Sequence, residues 1–141
     1  MPSAPERNGM RTFLDTHVWV WWVTRDRRLS LGALDAIRNA VRQQNAWLSA
    51  ISIWEIAKKV EKEQLVLDRP LRKWLESALS VDGLSVAELT SDILLESCEL
   101  PKPFHGDPAD QMIVATVRHH GGRLITKDRA LHEYPHVQCL W

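Results

Sequence analysis

Four acidic residues stand where carboxylates can do chemistry. They are Asp15 in F-L-D-T-H (13–17), Glu55 in S-I-W-E-I-A-K-K (52–59), Asp110 in H-G-D-P-A-D (105–110) and Asp128 in L-I-T-K-D (124–128). Carboxylate oxygens are hard ligands suited to Mg2+ or Mn2+, ions that activate water and neutralise charge developing on a phosphodiester. Crowded carboxylates also repel one another, so a cluster of them favours partial protonation and takes up cations readily.

Each acid also has a plainer role open to it. Asp15 and Asp128 follow apolar strand-like runs and precede the next segment, where Asp is a favoured helix N-cap. Asp107 and Pro108 form a natural N-cap and first helical residue, which puts Asp110 at the third helical position, where it can close a capping box. Against that, Asp110, Ile113, Val114 and Val117 share one helical face, and a carboxylate prolonging an apolar stripe needs a partner such as a cation. Glu55 lies off the stripe Ile53, Ile56, Ala57 and Val60. Lys58 and Lys59 follow it by three and four residues, so a solvent-facing Glu–Lys pair explains the pattern most economically. Thr16 and Thr126 can donate to the carboxylates or to a bound water, or simply pack at strand ends.

The elements that must position these residues alternate. Strand patterns fall at Thr12–Asp15, Ala46–Ser49, Leu84–Ala87, Leu124–Thr126 and Val137–Leu140, with helical patterns near 31–44, 51–63, 70–79, 89–98 and 108–120. This order predicts an α/β fold with a mainly parallel sheet of about five strands and right-handed crossovers. Ligands of such sheets sit beyond the carboxyl ends of the strands, where Asp15 and Asp128 fall. Residues 11–141 read as one domain, and residues 1–10 as a loose leader with Met10 a possible alternative start; this leader has no apolar segment and is not read as a signal peptide.

Composition narrows the class. The 141 residues are 45% hydrophobic and 26% charged, the balance of a globular chain, and the longest apolar run, Val18 to Val23, is too short to span a bilayer. A cytoplasmic location is expected. Eighteen basic residues balance eighteen acidic ones, so any phosphate contact must come from a local patch; Lys58, Lys59, Lys62, Lys127 and Arg129 flank the motifs, with Glu61 and Glu63 diluting the first three. Cys98 and Cys139 lack metal-ligand spacing and are expected as buried free thiols. Trp19, Trp21 and Trp22 crowd one segment without interleaved basic residues, which suits core packing or a dimer face better than base stacking. A zinc site drawn from His105, His119, His120, His132 and His136 is disfavoured, because adjacent His119 and His120 point to different helix faces.

Taken together, the four motifs in this order, with the closing Y-P-H-V-Q-C-L-W (134–141), resemble the PIN-domain family, and within it the VapC-type ribonuclease toxins of type II toxin–antitoxin systems. The likeness runs from about Thr12 to Trp141. It implies that Asp15, Glu55, Asp110 and Asp128 are the catalytic, metal-holding set, for Mg2+ with Mn2+ as a substitute. It also implies an endoribonuclease acting on RNA, a cognate antitoxin, and a homodimer or toxin–antitoxin hetero-oligomer. Thr16, Thr126 and Asp107 would stand behind the ligands, Asp107 more naturally as a cap. Gln111 stands where related sequences often carry Arg. Two other classes are less well matched: a haloacid-dehalogenase-like phosphatase needs an Asp where position 17 is His, and a PIN fold that only binds RNA or protein has no need of all four acids.

Overall fold

A computed structural model of the chain describes residues 9–141. The leader expected over residues 1–10 therefore falls mostly outside the described residues. Strands β1 (Thr12–Leu14), β2 (Ala46–Ser49), β3 (Leu84–Ala87), β4 (Arg123–Ile125) and β5 (Cys139–Leu140) form one sheet in the order β3-β2-β1-β4-β5, every pair parallel. Helices α1 (Thr16–Thr24), α2 (Leu31–Arg42), α3 (Ile51–Glu61), α4 (Leu71–Leu79), α5 (Ser91–Cys98), α6 (Pro108–His119) and α7 (Arg129–Glu133) fill the connections. The expected α/β architecture with five parallel strands is present. No described helix is long and apolar enough to cross a membrane.

A parallel sheet covered on both faces needs strands that are apolar throughout, and alternate side chains then feed two separate cores. Leu14, Leu48 and Ile125 point into one core with Trp19, Ile37, Ile56 and Trp74. Their chain neighbours Phe13, Trp47 and Leu124 point into the other with Ile93, Ile113, Val114 and Val117. Helix α3 straddles the layers: Ile56 packs in the first core, while Ile51 at its start touches the second.

From β1 the chain moves outward to β2 and β3, then crosses back to β4 and β5 on the other side of β1. Order therefore reverses at β1 and β4, and the crevice beyond their carboxyl ends is where such sheets hold ligands.

Two helices escape the sequence patterns. Helix α1 carries the run Val18–Val23, apolar on several sides because Trp19 is buried in the core while Trp21 packs edge-on against Trp141, 6.1 Å away. Helix α7 is five residues long, too short for a periodic signal. Of the two thiols, both free, Cys98 is exposed and Cys139 half-buried. The expected burial fails for Cys98 because it ends α5 on the outer side of that helix.

Gly83, entering β3, has φ +93°, and a Cβ there would lie 2.3 Å from the Val41 carbonyl oxygen. Gly83→Ala is expected to destabilise the fold by roughly 2–4 kcal/mol in urea denaturation. Gly106→Ala, with nothing within 4 Å of its Cβ, should change stability by no more than about 1 kcal/mol.

Candidate active site

Asp15 leaves β1 and caps α1. It is 4% exposed; its Oδ1 accepts from the Thr16 N–H at 2.8 Å and its Oδ2 from the Thr126 hydroxyl at 2.7 Å. Thr126, at the end of β4, accepts in turn from the Asp128 N–H at 3.0 Å. One buried hydroxyl thus ties the two strand-end acids together. Asp128 caps α7, its Oδ1 accepting from the Ala130 N–H at 2.9 Å.

Glu55 reaches the same place from α3. Thr16 donates its hydroxyl to Glu55 Oε1 at 2.5 Å and lies 2.8 Å from the Ser52 hydroxyl. The Glu–Lys surface pair expected from periodicity is absent. Lys58 binds Glu61 instead, at 2.7 Å, and burial pushes the Glu55 carboxyl up, opposed by the Thr16 hydrogen bond and aided by the charges of Asp15 and Asp110.

Asp110 approaches from the other helical layer at the start of α6. Asp107 is the N-cap of that helix, its Oδ1 accepting from the Asp110 N–H at 3.1 Å. The Asp110 carboxylate closes no capping box; its Oδ2 lies 2.7 Å from His105 Nε2. Burial first, then the charges of Asp15, Asp107 and Asp128, push the Asp110 carboxyl up to about 6 against that hydrogen bond. One ligand atom from each of His105, Asp110 and Asp128 lies within 4.8 Å of the other two.

His105 is thus a member of the cluster that sequence reasoning missed. Its ring stacks on Phe104, with centroids 4.4 Å apart, and Phe104 is braced edge-on by Tyr134. Of the other histidines, His119 binds Glu96, His120 binds Arg11 and His132 the Thr126 carbonyl, while the His119 and His120 rings meet edge-on with centroids 5.1 Å apart. Among the described residues, His105 is the histidine that joins a candidate metal cluster. His17 is a second missed neighbour. Its Nε2 accepts from the Lys127 N–H at 3.1 Å and its Nδ1 lies 3.7 Å from Asp15 Oδ2, so the imidazole braces the loop that carries Asp128. Its pKa is lowered, chiefly by burial. The D-T-H triplet was the available signal, but periodicity gives His17 no direction.

Gln111 donates to the Ser97 carbonyl at 3.3 Å, tying α6 to α5 rather than facing the acids. Trp21, one of the clustered indoles, has Arg28 and Lys127 over its ring, so basic residues approach it in space though not in sequence.

With that geometry in place, similarity to known proteins can be weighed. The family model of the PIN domain matches residues 12–137. The chain belongs to the PIN-domain family. This PIN domain is 37% identical over 130 residues to Ribonuclease VapC22 of Mycobacterium tuberculosis (strain ATCC 25618 / H37Rv), spanning 91% of this chain and 96% of that protein. Solved structures share its fold. The DNA-bound VapBC from Salmonella typhimurium superposes with a TM-score of 0.67 at 15% identity, covering 94% of this chain and 98% of the other. A toxin–antitoxin complex from Klebsiella pneumoniae gives 0.63 at 19%, covering 92% and 96%.

The raised Asp110 carboxyl has a consequence for stability. In metal-free buffer, Asp110→Asn is expected to stabilise the PIN domain by roughly 1–3 kcal/mol at about pH 7. The Asp110 side chain is 17% exposed, and its folded pKa of about 6 lies above the ordinary value of 3.8. Protonation therefore favours the fold: wild type gains stability as pH falls from about 6 towards 4, and the advantage of the variant vanishes over that window. Urea denaturation at the two ends of the window checks it. An unchanged difference would remove the raised Asp110 carboxyl as the cause.

Proposed function

We propose that this chain is a metal-dependent endoribonuclease and the toxin of a toxin–antitoxin pair, hydrolysing RNA phosphodiester bonds at a site formed by Asp15, Glu55, Asp110 and Asp128. The observation that carries it is the meeting of acids from four separate segments at the reversal point of the sheet. Its context supports RNA as substrate, since the relative at 37% identity is named a ribonuclease.

The donor set fits a hard divalent cation: four carboxylates, two of them raised by burial and mutual charge, with the His105 imidazole beside Asp110 and Asp128. Mg2+ is the expected ion, with Mn2+ able to replace it. All four acids would hold it, Glu55 directly or through water. When bound, it supplies neutralisation of phosphate charge and a more acidic water. The chain's own residues do the rest. Thr16 and Thr126 fix the rotamers of Glu55 and Asp15, and Thr126 with the α7 cap fixes the turn at Asp128. Among the described residues, Glu55 Oε2 and Asp110 Oδ1 accept no hydrogen bond from protein, so these oxygens are open to an ion, a water or a proton.

Control of such an activity requires a partner, and the reading includes a cognate antitoxin, with a homodimer or a toxin–antitoxin hetero-oligomer as the assembly. A cationic side chain of that partner would pair with the acids. A helix or strand of that partner has a concavity of about 670 Å3 available, lined by Trp21, Trp22, Leu29 and Leu34 together with the charged Arg25, Asp26, Arg27 and Arg38. Expression is expected in the cytoplasm.

Asp15→Asn, Asp110→Asn and Asp128→Asn are each expected to abolish RNA cleavage while keeping native circular dichroism, and excess chelator should abolish it in wild type. Asp107→Asn should retain activity, because Asn caps a helix about as well as Asp. Wild-type cleavage by any of the first three variants removes that residue from the site, and full cleavage in chelator removes the metal.

Expressed alone, the wild-type chain should arrest growth and Asp15→Asn should not. Co-expression with the neighbouring gene should restore growth and yield a complex with little nuclease activity. Harmless expression of an active wild-type enzyme would count against the toxin role while leaving the nuclease reading in place.

A further inference from the structure

We propose that the groove leading out of the acidic site along α3 is a subsite for single-stranded RNA, with an unpaired base stacked on Trp54 and phosphates against Lys59 and Lys62. It rests on the ribonuclease reading above and adds how the strand is held.

Trp54 is 56% exposed, whereas Trp19, Trp47 and Trp74 are all buried. Helix α3 turns Ser52 and Ile56 inward, so Trp54, midway between them, faces outward next to Glu55. Helical spacing then sets Lys58 and Lys62 along the stripe of Trp54, and Lys59 and Lys62 along the stripe of Glu55. Lys58 is paired with Glu61, but among the described residues Lys59 and Lys62 make no ion pair. A groove of about 270 Å3 runs between these side chains and the start of α6 at Asp107–Ala109, with Glu55 on its wall. Glu61 and Glu63 do not line it.

An open indole beside ammonium groups that form no ion pair is the chemistry that binds unpaired nucleotides: every base offers a π-face, and the cations take the backbone. Continuity with Glu55 places the stacked nucleotide next to the bond to be cut. A second copy of the chain is a poorer occupant. A two-fold contact sets the same patch against itself, which would bring Lys59 and Lys62 towards their own counterparts.

The test uses the full chain carrying Asp15→Asn, so that the probe survives, and a single-stranded RNA of roughly ten nucleotides with 2-aminopurine placed at successive positions. One position should be quenched on binding. Adding Trp54→Ala should abolish that quenching and weaken binding by roughly tenfold, while Trp54→Phe keeps most of both. Lys59→Ala and Lys62→Ala should keep the quenching at saturation, each lowering the slope of log affinity against log salt by about 0.7. With all four acids intact, calorimetric Mn2+ affinity should be the same for Trp54→Ala as for wild type, which separates lost stacking from a damaged acidic site. Unaltered RNA binding by the Trp54→Ala protein overturns the subsite while leaving a cleaving wild type a ribonuclease. A Trp54→Ala effect confined to oligomeric state in light scattering overturns it in favour of a face between copies. A folded wild type that neither binds nor cleaves RNA overturns both readings.

Discussion

Bringing carboxylates together at the edge of a parallel sheet is electrostatically unfavourable, and two threonine hydroxyls share the local compensation with backbone N–H groups and His105. Their proton directions are fixed by their partners. Thr126 donates to Asp15 and so accepts from the Asp128 N–H. Thr16 donates to Glu55, which leaves the Ser52 hydroxyl to donate to Thr16. Both chains of donors end on a carboxylate, and inside a protein such aligned chains polarise one another. Of the hydroxyl and acid anchors, Thr16, Ser52, Thr126 and Asp15 are buried, so this order is set by the fold rather than by solvent.

Helix capping and site building turn out to use the same atoms. Asp15 and Asp128 are N-caps, and each spends one oxygen on a backbone N–H while the other faces the cluster, that of Asp15 also accepting the Thr126 hydroxyl. The two explanations that sequence alone held in competition are compatible, because a carboxylate has more lone pairs than a cap consumes. Asp107 shows the other outcome. It caps α6 at an exposed position, and this frees Asp110, one turn along, to face His105 and the remaining acids.

What could be seen in the sequence was whatever depends on local periodicity: the five strands, the alternating helices, and strand-end acids where an α/β sheet keeps its crevice. Strand β2 and β3 limits coincide with the patterns, while β5 is two residues shorter because only Cys139 and Leu140 pair with β4. Glu55 was opaque to periodicity, and named only through the family resemblance, for a physical reason. Its periodicity relates it to its own helix, but its partner Thr16 lies 39 residues away on another element. His105 was equally hidden, since its role depends on how the loop before α6 folds back against Asp110. Trp54 carries no directional signal in the sequence; the fold buries Trp19, Trp47 and Trp74 and leaves Trp54 exposed.

Net charge was uninformative because the opposing charges are segregated by place. Acids occupy the sheet edge, while Lys59, Lys62 and Lys127 border it. On the proposed reading, a polyanion approaching the bare cluster meets repulsion from four carboxylates, which the rim lysines only partly offset. Occupation by a divalent cation reduces that repulsion and by the same coupling makes a bound phosphodiester favour the cation. Metal and substrate affinities are then reciprocally linked. The link follows from charge and proximity alone and requires no conformational change. A partner's cationic side chain seated among the acids would compete with the ion for the same charge, so inhibition, metal loading and substrate binding all draw on one electrostatic feature, the crowding that Thr16 and Thr126 hold in place.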